Sequence, residues 1–244
     1  MFSRTALAKM IDHTLLRPDA TEEEIIRLCE EAREYHFACI TVFPSWLQVA
    51  RRHLRDSDAK LGAVVAYPFG ALPPACKVFE TRQSITLGAD EVDMVVNLGA
   101  LRSGNLDLVK REVQDVVTQA KLAGLTEDGE EILVKVIVET GMTTRDEQEK
   151  VVRIAEECRA DFIKTCSGYG PRGATVEDVR FLRQVAGREM GIKASGGVRT
   201  YEQAVALINA GANRIGTSSG VAILRGYEHS QHPLPEEAVA RRTD

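Results

Sequence analysis

The sequence has few of the features that mark secreted or membrane-bound proteins. Its five cysteines form no Cys-x-x-Cys pair, and their odd number favours reduced thiols over a disulfide framework. Arg4 and Lys9 interrupt the short apolar stretches near residue 1, so a signal peptide is not expected. No apolar run approaches the roughly 20 residues that cross a bilayer. We therefore expect a cytoplasmic protein.

Signs of common cofactors and of charged macromolecular partners are also scarce. No His-Glu-x-x-His pair or cysteine cluster supports catalytic zinc, and we interpret the glycine-rich segments as turns or phosphate loops, not as a dinucleotide fingerprint. The formal net charge of −5 gives no general attraction to nucleic acid or acidic membranes. We expect no metal, no organic cofactor, and no nucleic-acid or membrane partner.

The pattern that is present predicts a single eight-stranded β/α barrel, an α/β fold that typically needs about 250 residues. The chain has 244 residues, of which 44% are hydrophobic and 27% charged. Short β-rich runs alternate with amphipathic stretches, which indicates βαβ units and a parallel sheet. Strands are predicted at 9–14, 39–43, 61–67, 91–97, 132–139, 161–165, 191–194 and 214–217. Capping boxes predict helix starts at Thr21, Thr144 and Thr200.

No linker or change in composition divides the chain. We predict one barrel domain over residues 1–227. Residues 228–244 are polar and contain Pro233 and Pro235, so we expect a loosely held tail or a last short helix.

Four predicted strands carry a charged residue among apolar ones. The charged residues are Asp93, Lys135, Lys164 and Lys193. Ion pairs or outward-facing positions would explain any one of them. Together they favour an active site, because unpaired charge is almost never fully buried and barrel strands alternate inward and outward positions.

A pair of lysines in a barrel mouth is suited to imine formation. An amine attacks a carbonyl only when neutral, and lowering a lysine pKa from about 10.4 to about 7 needs roughly 5 kcal/mol. A second ammonium about 7 Å away supplies about 2.4 kcal/mol at an effective dielectric of 20. Burial must supply the remainder.

Serine and glycine clusters follow the last three predicted strands. Barrels commonly bind phosphate in the loops after strands seven and eight, at the N-terminus of a short extra helix. The alternative is that these glycines only form tight turns. The candidate phosphate residues are Ser167, Gly168, Gly196, Gly197, Ser218 and Ser219. His13 and Cys166 are also near strand ends, but a structural role is at least as plausible for each as a catalytic one.

Five segments resemble the deoxyribose-phosphate aldolase family. They are KTCSG at 164–168, KASGGVRT at 193–200, EVDMVV at 91–96, LVKVIVET at 133–140 and CITVFP at 39–44. The likeness runs in order from about residue 12 to residue 224. Cys166 and Ser167 stand where serine and threonine are common in the family, and Asn97 begins a loop that is aromatic in some members.

The resemblance implies a class I aldolase that reversibly cleaves 2-deoxy-D-ribose 5-phosphate to acetaldehyde and D-glyceraldehyde 3-phosphate. It implies that Lys164 forms the Schiff base, that Lys193 lowers the pKa of Lys164, and that Asp93 relays protons through a bound water. By the same likeness the serine and glycine clusters hold phosphate, and Asp12 and Lys135 form part of the site wall.

Two rival functions remain open on sequence grounds. One is a lysine-dependent barrel aldolase with a different donor, and the other is a non-catalytic barrel that binds a sugar phosphate. A homodimer is expected by base rate alone.

Overall fold

The alternating pattern of the sequence folds into a parallel β-sheet that closes on itself. The computed structural model describes residues 3–126 and 128–231, and in these ranges eight strands form a closed barrel in chain order. The strands are β1 Ile11–Leu15, β2 Cys39–Val42, β3 Lys60–Val65, β4 Glu91–Val95, β5 Leu133–Ile137, β6 Phe162–Lys164, β7 Gly191–Ser195 and β8 Arg214–Thr217. The predicted fold class is therefore confirmed.

Helices alternate with the strands along the chain. They are α1 Arg4–Ala8, α2 Glu22–Tyr35, α3 Leu47–His53, α4 Pro74–Thr86, α5 Leu98–Arg102, α6 Leu106–Leu122, α7 Arg145–Glu157, α8 Val176–Val185, α9 Tyr201–Asn209 and α10 Gly220–Gln231. Within the described residues, no helix is long and apolar enough to traverse a lipid bilayer.

Local sequence signals set where several helices begin. Thr21, Thr144 and Thr200 each form the predicted capping box, in which the threonine side chain accepts from the N3 backbone and the N3 side chain accepts from the threonine N–H. Thr175 forms a fourth box with Asp178 at the start of α8. The sequence search missed this box because Asp178 is neither glutamate nor glutamine.

Two layers with different chemistry result from the alternation of side chains along the strands. Outward-facing residues pack against the helices in the main hydrophobic core, among them Val92, Val134, Ile163 and Ile192. The inward-facing neighbours include Asp93, Lys135, Lys164 and Lys193, all of them buried. The core therefore lies between sheet and helices, and much of the barrel interior is ionic.

The last helix that the structure describes extends past the predicted domain boundary at residue 227. Helix α10 continues to Gln231, so residues 228–231 of the predicted polar tail belong to a helix. The remaining residues of that segment, 232–244, lie outside the described residues. The division into a domain over 1–227 and a tail over 228–244 stays a prediction.

Candidate active site

The four charged residues singled out on the strands meet inside the barrel. In the parallel register Asp93 on β4 lies beside Lys135 on β5, and Lys164 on β6 lies beside Lys193 on β7. Asp93 also contacts both lysines of β6 and β7. Because β4 is not adjacent to either strand, these contacts cross the interior.

Asp93 is the common partner of the three lysines. Its Oδ2 accepts from Lys164 Nζ at 2.8 Å and from Lys193 Nζ at 2.8 Å. Its Oδ1 accepts from Lys135 Nζ at 3.0 Å. One carboxylate oxygen thus joins the two amines that a proton relay would need.

Below Asp93, three more charged groups complete a closed ring of ion pairs. Arg214 Nη1 lies 2.5 Å from Asp12 Oδ1, and Asp12 Oδ2 lies 2.6 Å from Lys193 Nζ. Arg214 Nη2 lies 2.9 Å from Glu91 Oε1, and the other oxygen of Glu91 pairs with Lys135. Together with the contacts to Asp93, these pairs form what we term the ionic ring. Its members in order are Arg214, Asp12, Lys193, Asp93, Lys135 and Glu91.

Lys164 stands outside the ionic ring. Among the described residues its Nζ has one carboxylate within ion-pair distance, that of Asp93. The ring itself carries three cations and three anions, so its charges balance without Lys164. A charged Lys164 would add an unbalanced ammonium at a site where it is 3% exposed, which is costly in a medium of low polarity.

The pKa values follow this balance of charge. Burial lowers the pKa of Lys164 to about 8, opposed by the charge of Asp93 and assisted by that of Lys193. Burial also acts on Lys193, but the carboxylates of Asp12 and Asp93 outweigh it and raise its pKa. For Asp93, burial is outweighed by the three lysines, so its pKa lies well below the usual value. Lys164 is therefore the amine that most readily becomes neutral.

A cleft opens above Lys164 at the carboxyl ends of the strands. Its volume is about 520 Å³. Of the predicted residues, Lys164, Ser167, Gly168, Gly196, Gly197 and Ser218 line it. This end of the barrel is where β/α barrels place their reactive groups.

Five predicted site residues do not line the cleft. Two of them, Asp93 and Lys193, are the buried partners of Lys164 described above. Asp12 and Lys135 were expected at the site wall but are fully buried beneath it, as members of the ionic ring. Ser219, just before α10, does not line the cleft; it lines a separate depression, which Ser218, His13 and Arg225 also line. Ser219 N–H donates to Thr217 Oγ1, which fixes the turn before α10.

Glycines give the cleft its shape at two places. Gly197 has φ of 76°, and a Cβ there would meet no atom within 4 Å, so its backbone faces open space in a left-handed conformation that favours glycine. A Cβ on Gly216 would lie 3.0 Å from Lys193 Cε and 2.9 Å from Ser195 Cβ. Gly216 therefore leaves the room through which the Lys193 side chain reaches Asp93.

Sequence reasoning missed several residues of the cleft. Arg17, Tyr67, Tyr169 and Arg199 all line it. All lie in loops, although the predicted strand 61–67 had included Tyr67. Arg199 offered a signal, because it follows the glycine pair after β7. Arg214 and Glu91 were missed because each begins a strand, where a charged residue is usually taken to face solvent.

Tyrosines fix the loop that follows Lys164. Tyr67 Oη donates to the Ser167 carbonyl at 2.5 Å, while the Ser167 N–H donates to Glu139 Oε2 at 2.9 Å. Tyr169 Oη donates to the Leu16 carbonyl at 2.7 Å and so joins the loops after β1 and β6. The peptide of Ser167 is thus held from two sides at the edge of the cleft.

His13 and Cys166 are removed from the reacting centre. His13 Nε2 lies 2.6 Å from Glu31 Oε2, and the His13 ring packs on Phe37 outside the barrel interior. Cys166 is fully buried, its Sγ lies 3.3 Å from Thr140 Oγ1, and burial raises the pKa of its thiol. These surroundings support structural roles for both residues.

Potential metal ligands also occur near the ionic ring. In the part of the chain that the structure describes, Asp12, Cys39 and Glu91 place ligand atoms within 4.8 Å of one another. Both carboxylates already contact the Arg214 guanidinium, and burial raises the pKa of the Cys39 thiol well above its usual value. A neutral thiol and two paired carboxylates do not fit a cation site.

Comparison with known proteins shows what the chain is similar to. The model of the DeoC/LacD family aldolases matches residues 6–226. The deoxyribose-phosphate aldolase of Thermococcus gammatolerans is 50% identical over 227 residues, which cover 92% of this chain and 98% of that protein. The deoxyribose-phosphate aldolase of Streptococcus gordonii is 50% identical over 220 residues, covering 90% of this chain and 96% of that protein.

Solved structures of deoxyribose-phosphate aldolases are also similar to this chain. The tetrameric structure of the deoxyribose phosphate aldolase from Aeropyrum pernix superposes with a TM-score of 0.84 and 34% identity, covering 93% of this chain and 92% of that one. More distant likeness extends to an orotidine 5′-phosphate decarboxylase from Pyrococcus horikoshii, with a TM-score of 0.59 and 18% identity. This last similarity shows a shared fold only.

Proposed function

The chain belongs to the DeoC/LacD family of aldolases, and we propose that it reversibly cleaves 2-deoxy-D-ribose 5-phosphate to acetaldehyde and D-glyceraldehyde 3-phosphate through a Schiff base on Lys164. The observation that carries this proposal is the position and the lowered pKa of the Lys164 amine. Lys164 lies at the cleft, nearly buried, outside a charge-balanced ring, with its pKa lowered to about 8. A carbon–carbon lyase of this kind needs a neutral lysine next to a proton relay.

The lowered pKa has a large effect on the supply of nucleophile. With a pKa of about 8, about a tenth of the Lys164 side chains are neutral at pH 7. An unperturbed lysine would be neutral in about one molecule in 3,000. The environment thus increases the concentration of reactive amine by roughly 300-fold.

The cleavage begins when neutral Lys164 adds to the aldehyde carbon of the open-chain sugar and water leaves. The resulting protonated imine withdraws electrons, so loss of the proton on the C3 hydroxyl breaks the C2–C3 bond. D-glyceraldehyde 3-phosphate departs and an enamine remains on Lys164. Protonation of the enamine carbon and hydrolysis release acetaldehyde and restore the free amine.

Asp93 and Lys193 are suited to handle the protons of these steps. Lys164 Nζ and Lys193 Nζ each donate to Asp93 Oδ2 at 2.8 Å, so one carboxylate oxygen connects the two amines. During the catalytic cycle Asp93 Oδ2 can therefore pass a proton between the two amines. Such positioned transfer contributes typically about 10²–10⁴-fold to a rate.

Part of the lining of the cleft is suited to binding the substrate's phosphate. Gly196, Gly197 and Ser218 line it together with the guanidinium-bearing Arg199. Backbone N–H groups and the start of α10 are attractive to an anion. We propose that the phosphate lies here, which would place the aldehyde end toward Lys164.

Borohydride trapping tests the proposal directly. We expect the protein, incubated with acetaldehyde and sodium borohydride, to carry an N-ethyl group on Lys164 by peptide mass spectrometry. Lys164→Met should carry none, while Lys150→Met on the surface of α7 should carry the wild-type level. Absence of the Lys164 adduct in the wild type would favour a barrel that only binds a sugar phosphate.

A substrate comparison tests the donor. We expect turnover of 2-deoxyribose 5-phosphate to exceed that of fructose phosphates and keto-deoxy sugar acids by orders of magnitude. A preference for one of the other substrates, with the adduct still on Lys164, would indicate a different lysine-dependent aldolase.

A further inference from the structure

Arg214 lies at the opposite end of the barrel interior from the cleft, yet it is bound into the site. It begins β8, and among the described residues its guanidinium is the group that joins the two arms of the ionic ring. One arm runs through Asp12 to Lys193 and the other through Glu91 to Lys135. Both arms end on Asp93, the partner of Lys164.

The guanidinium of Arg214 binds two carboxylates at once, one through each terminal nitrogen. Nη1 pairs with Asp12 on β1 at 2.5 Å and Nη2 pairs with Glu91 on β4 at 2.9 Å. A planar guanidinium spans two carboxylates in this way and keeps its charge at every physiological pH. A lysine ammonium is a point charge on a flexible stem and could not bridge the same two groups with equal geometry.

Six of the other seven strands contribute a group to the surroundings of Arg214. Besides the two carboxylates, the ring of Phe162 on β6 lies 6.0 Å from the guanidinium carbon. Lys193 on β7 is the neighbour of Arg214 in the sheet register, and Lys135 on β5 pairs with Glu91. The neutral thiol of Cys39 on β2 also lies near the guanidinium. The charged groups that act on Lys164 are Asp93, Lys193 and Lys135, and Tyr67 lines the same cleft.

We propose that Arg214 is a positioning residue for the Schiff-base lysine: by closing the ionic ring it supplies the third cation that balances three carboxylates and so leaves Lys164 as the surplus amine, the one that gives up its proton most readily. The inference rests on the proposed Schiff-base chemistry at Lys164. Without Arg214 the interior would hold three anions against Lys135 and Lys193. A proton on Lys164 would then complete the balance.

The charge argument predicts opposite effects for opposite changes. Arg214→Met removes a cation and should move the pH midpoint of imine formation at Lys164 to higher pH. Glu91→Gln removes an anion from the same ring and should move the midpoint to lower pH. A unit charge about 10 Å away at an effective dielectric of 20 shifts a pKa by about one unit, so each shift should be about one pH unit.

The test measures the fraction of Lys164 trapped by acetaldehyde and borohydride in short incubations between pH 5.5 and 10. The variants are Arg214→Met, Glu91→Gln, the double variant and Arg214→Lys. The double variant should return to the wild-type midpoint, and Arg214→Lys should stay near it because the charge remains. Arg180→Met, the same change on the exposed face of α8, is the matched control and should leave the midpoint unchanged.

A purely structural role for Arg214 would lower stability but would not give shifts of opposite sign that cancel. Equal midpoints in wild type, Arg214→Met and Glu91→Gln would overturn the inference. If Arg214→Met does not fold by circular dichroism, Glu91→Gln decides alone, since a shift to lower pH supports the inference and any other result refutes it. Failure of the proposed function is distinguishable, because the wild type itself would then carry no adduct on Lys164.

Discussion

Replacing Lys164 by methionine should make the protein more stable while abolishing its activity. Burial lowers the pKa of Lys164 from 10.5 to about 8, which means that the folded protein disfavours the ammonium. At about 1.36 kcal/mol per pKa unit, the 2.5-unit shift corresponds to about 3 kcal/mol. The folded state bears this cost at pH 7, because the amine is largely charged in both states. Methionine fills a similar volume without the charge.

The sign of the pH dependence follows from proton linkage. Between pH 8 and pH 10.5 the unfolded chain binds a proton at Lys164 that the folded chain does not, so wild-type stability rises with pH across this window. The advantage of Lys164→Met should therefore be about 3 kcal/mol at pH 7 and fall below about 1 kcal/mol at pH 10. Equilibrium unfolding in urea at the two pH values measures both quantities.

Lys193→Met is the matched control, since the same substitution one strand away should have the opposite effect. Lys193 pairs with Asp12 at 2.6 Å and with Asp93 at 2.8 Å, and these carboxylates raise its pKa. Removing one partner of a buried pair typically costs about 3–5 kcal/mol. A Lys164→Met protein that is no more stable than wild type at pH 7, or whose gain is unchanged at pH 10, would refute the reasoning.

Three further outcomes are expected. The kcat/KM for cleavage should rise about tenfold between pH 6 and pH 7 and about fivefold between pH 7 and pH 8 as Lys164 loses its proton, and a flat profile in this range would contradict the proposed nucleophile. Ser218→Ala should raise KM for 2-deoxyribose 5-phosphate about fivefold, whereas Ser219→Ala, which alters a side chain outside the cleft, should leave KM within error. Gly216→Ala should lower kcat by about tenfold or more, because the added Cβ would press on Lys193; an unchanged kcat would show that Lys193 can move without loss.

Much of the fold could be predicted because its signals are local and repeated. Each of the eight strands in the described residues overlaps its predicted range, since a β-rich run bounded by turns needs no distant information. The capping boxes at Thr21, Thr144 and Thr200 were predictable for the same reason. The charged residues on β4 to β7 stood out because the strand pattern demands apolar neighbours.

The pairing inside the barrel could not be predicted from the sequence, because it depends on register and on which side chains cross the interior. Asp12 and Lys135 were assigned to the wall of the site, although their place beneath the cleft follows from contacts with Arg214 and Glu91. Ser218 and Ser219 are chemically identical in the sequence, and only the turn fixed by Thr217 separates them.

The ionic interior also explains where the stability of this barrel must come from. A β/α barrel is commonly filled by branched apolar side chains, but here the middle of the interior holds charged groups whose pairing at best offsets their loss of hydration. Apolar burial is concentrated instead between strands and helices, where Val92, Val134 and Ile192 are fully buried. Substitutions in that outer layer should therefore change stability with little effect on catalysis. Substitutions in the ring should change the proton state of Lys164 even where the fold survives, because each member is balanced by the others.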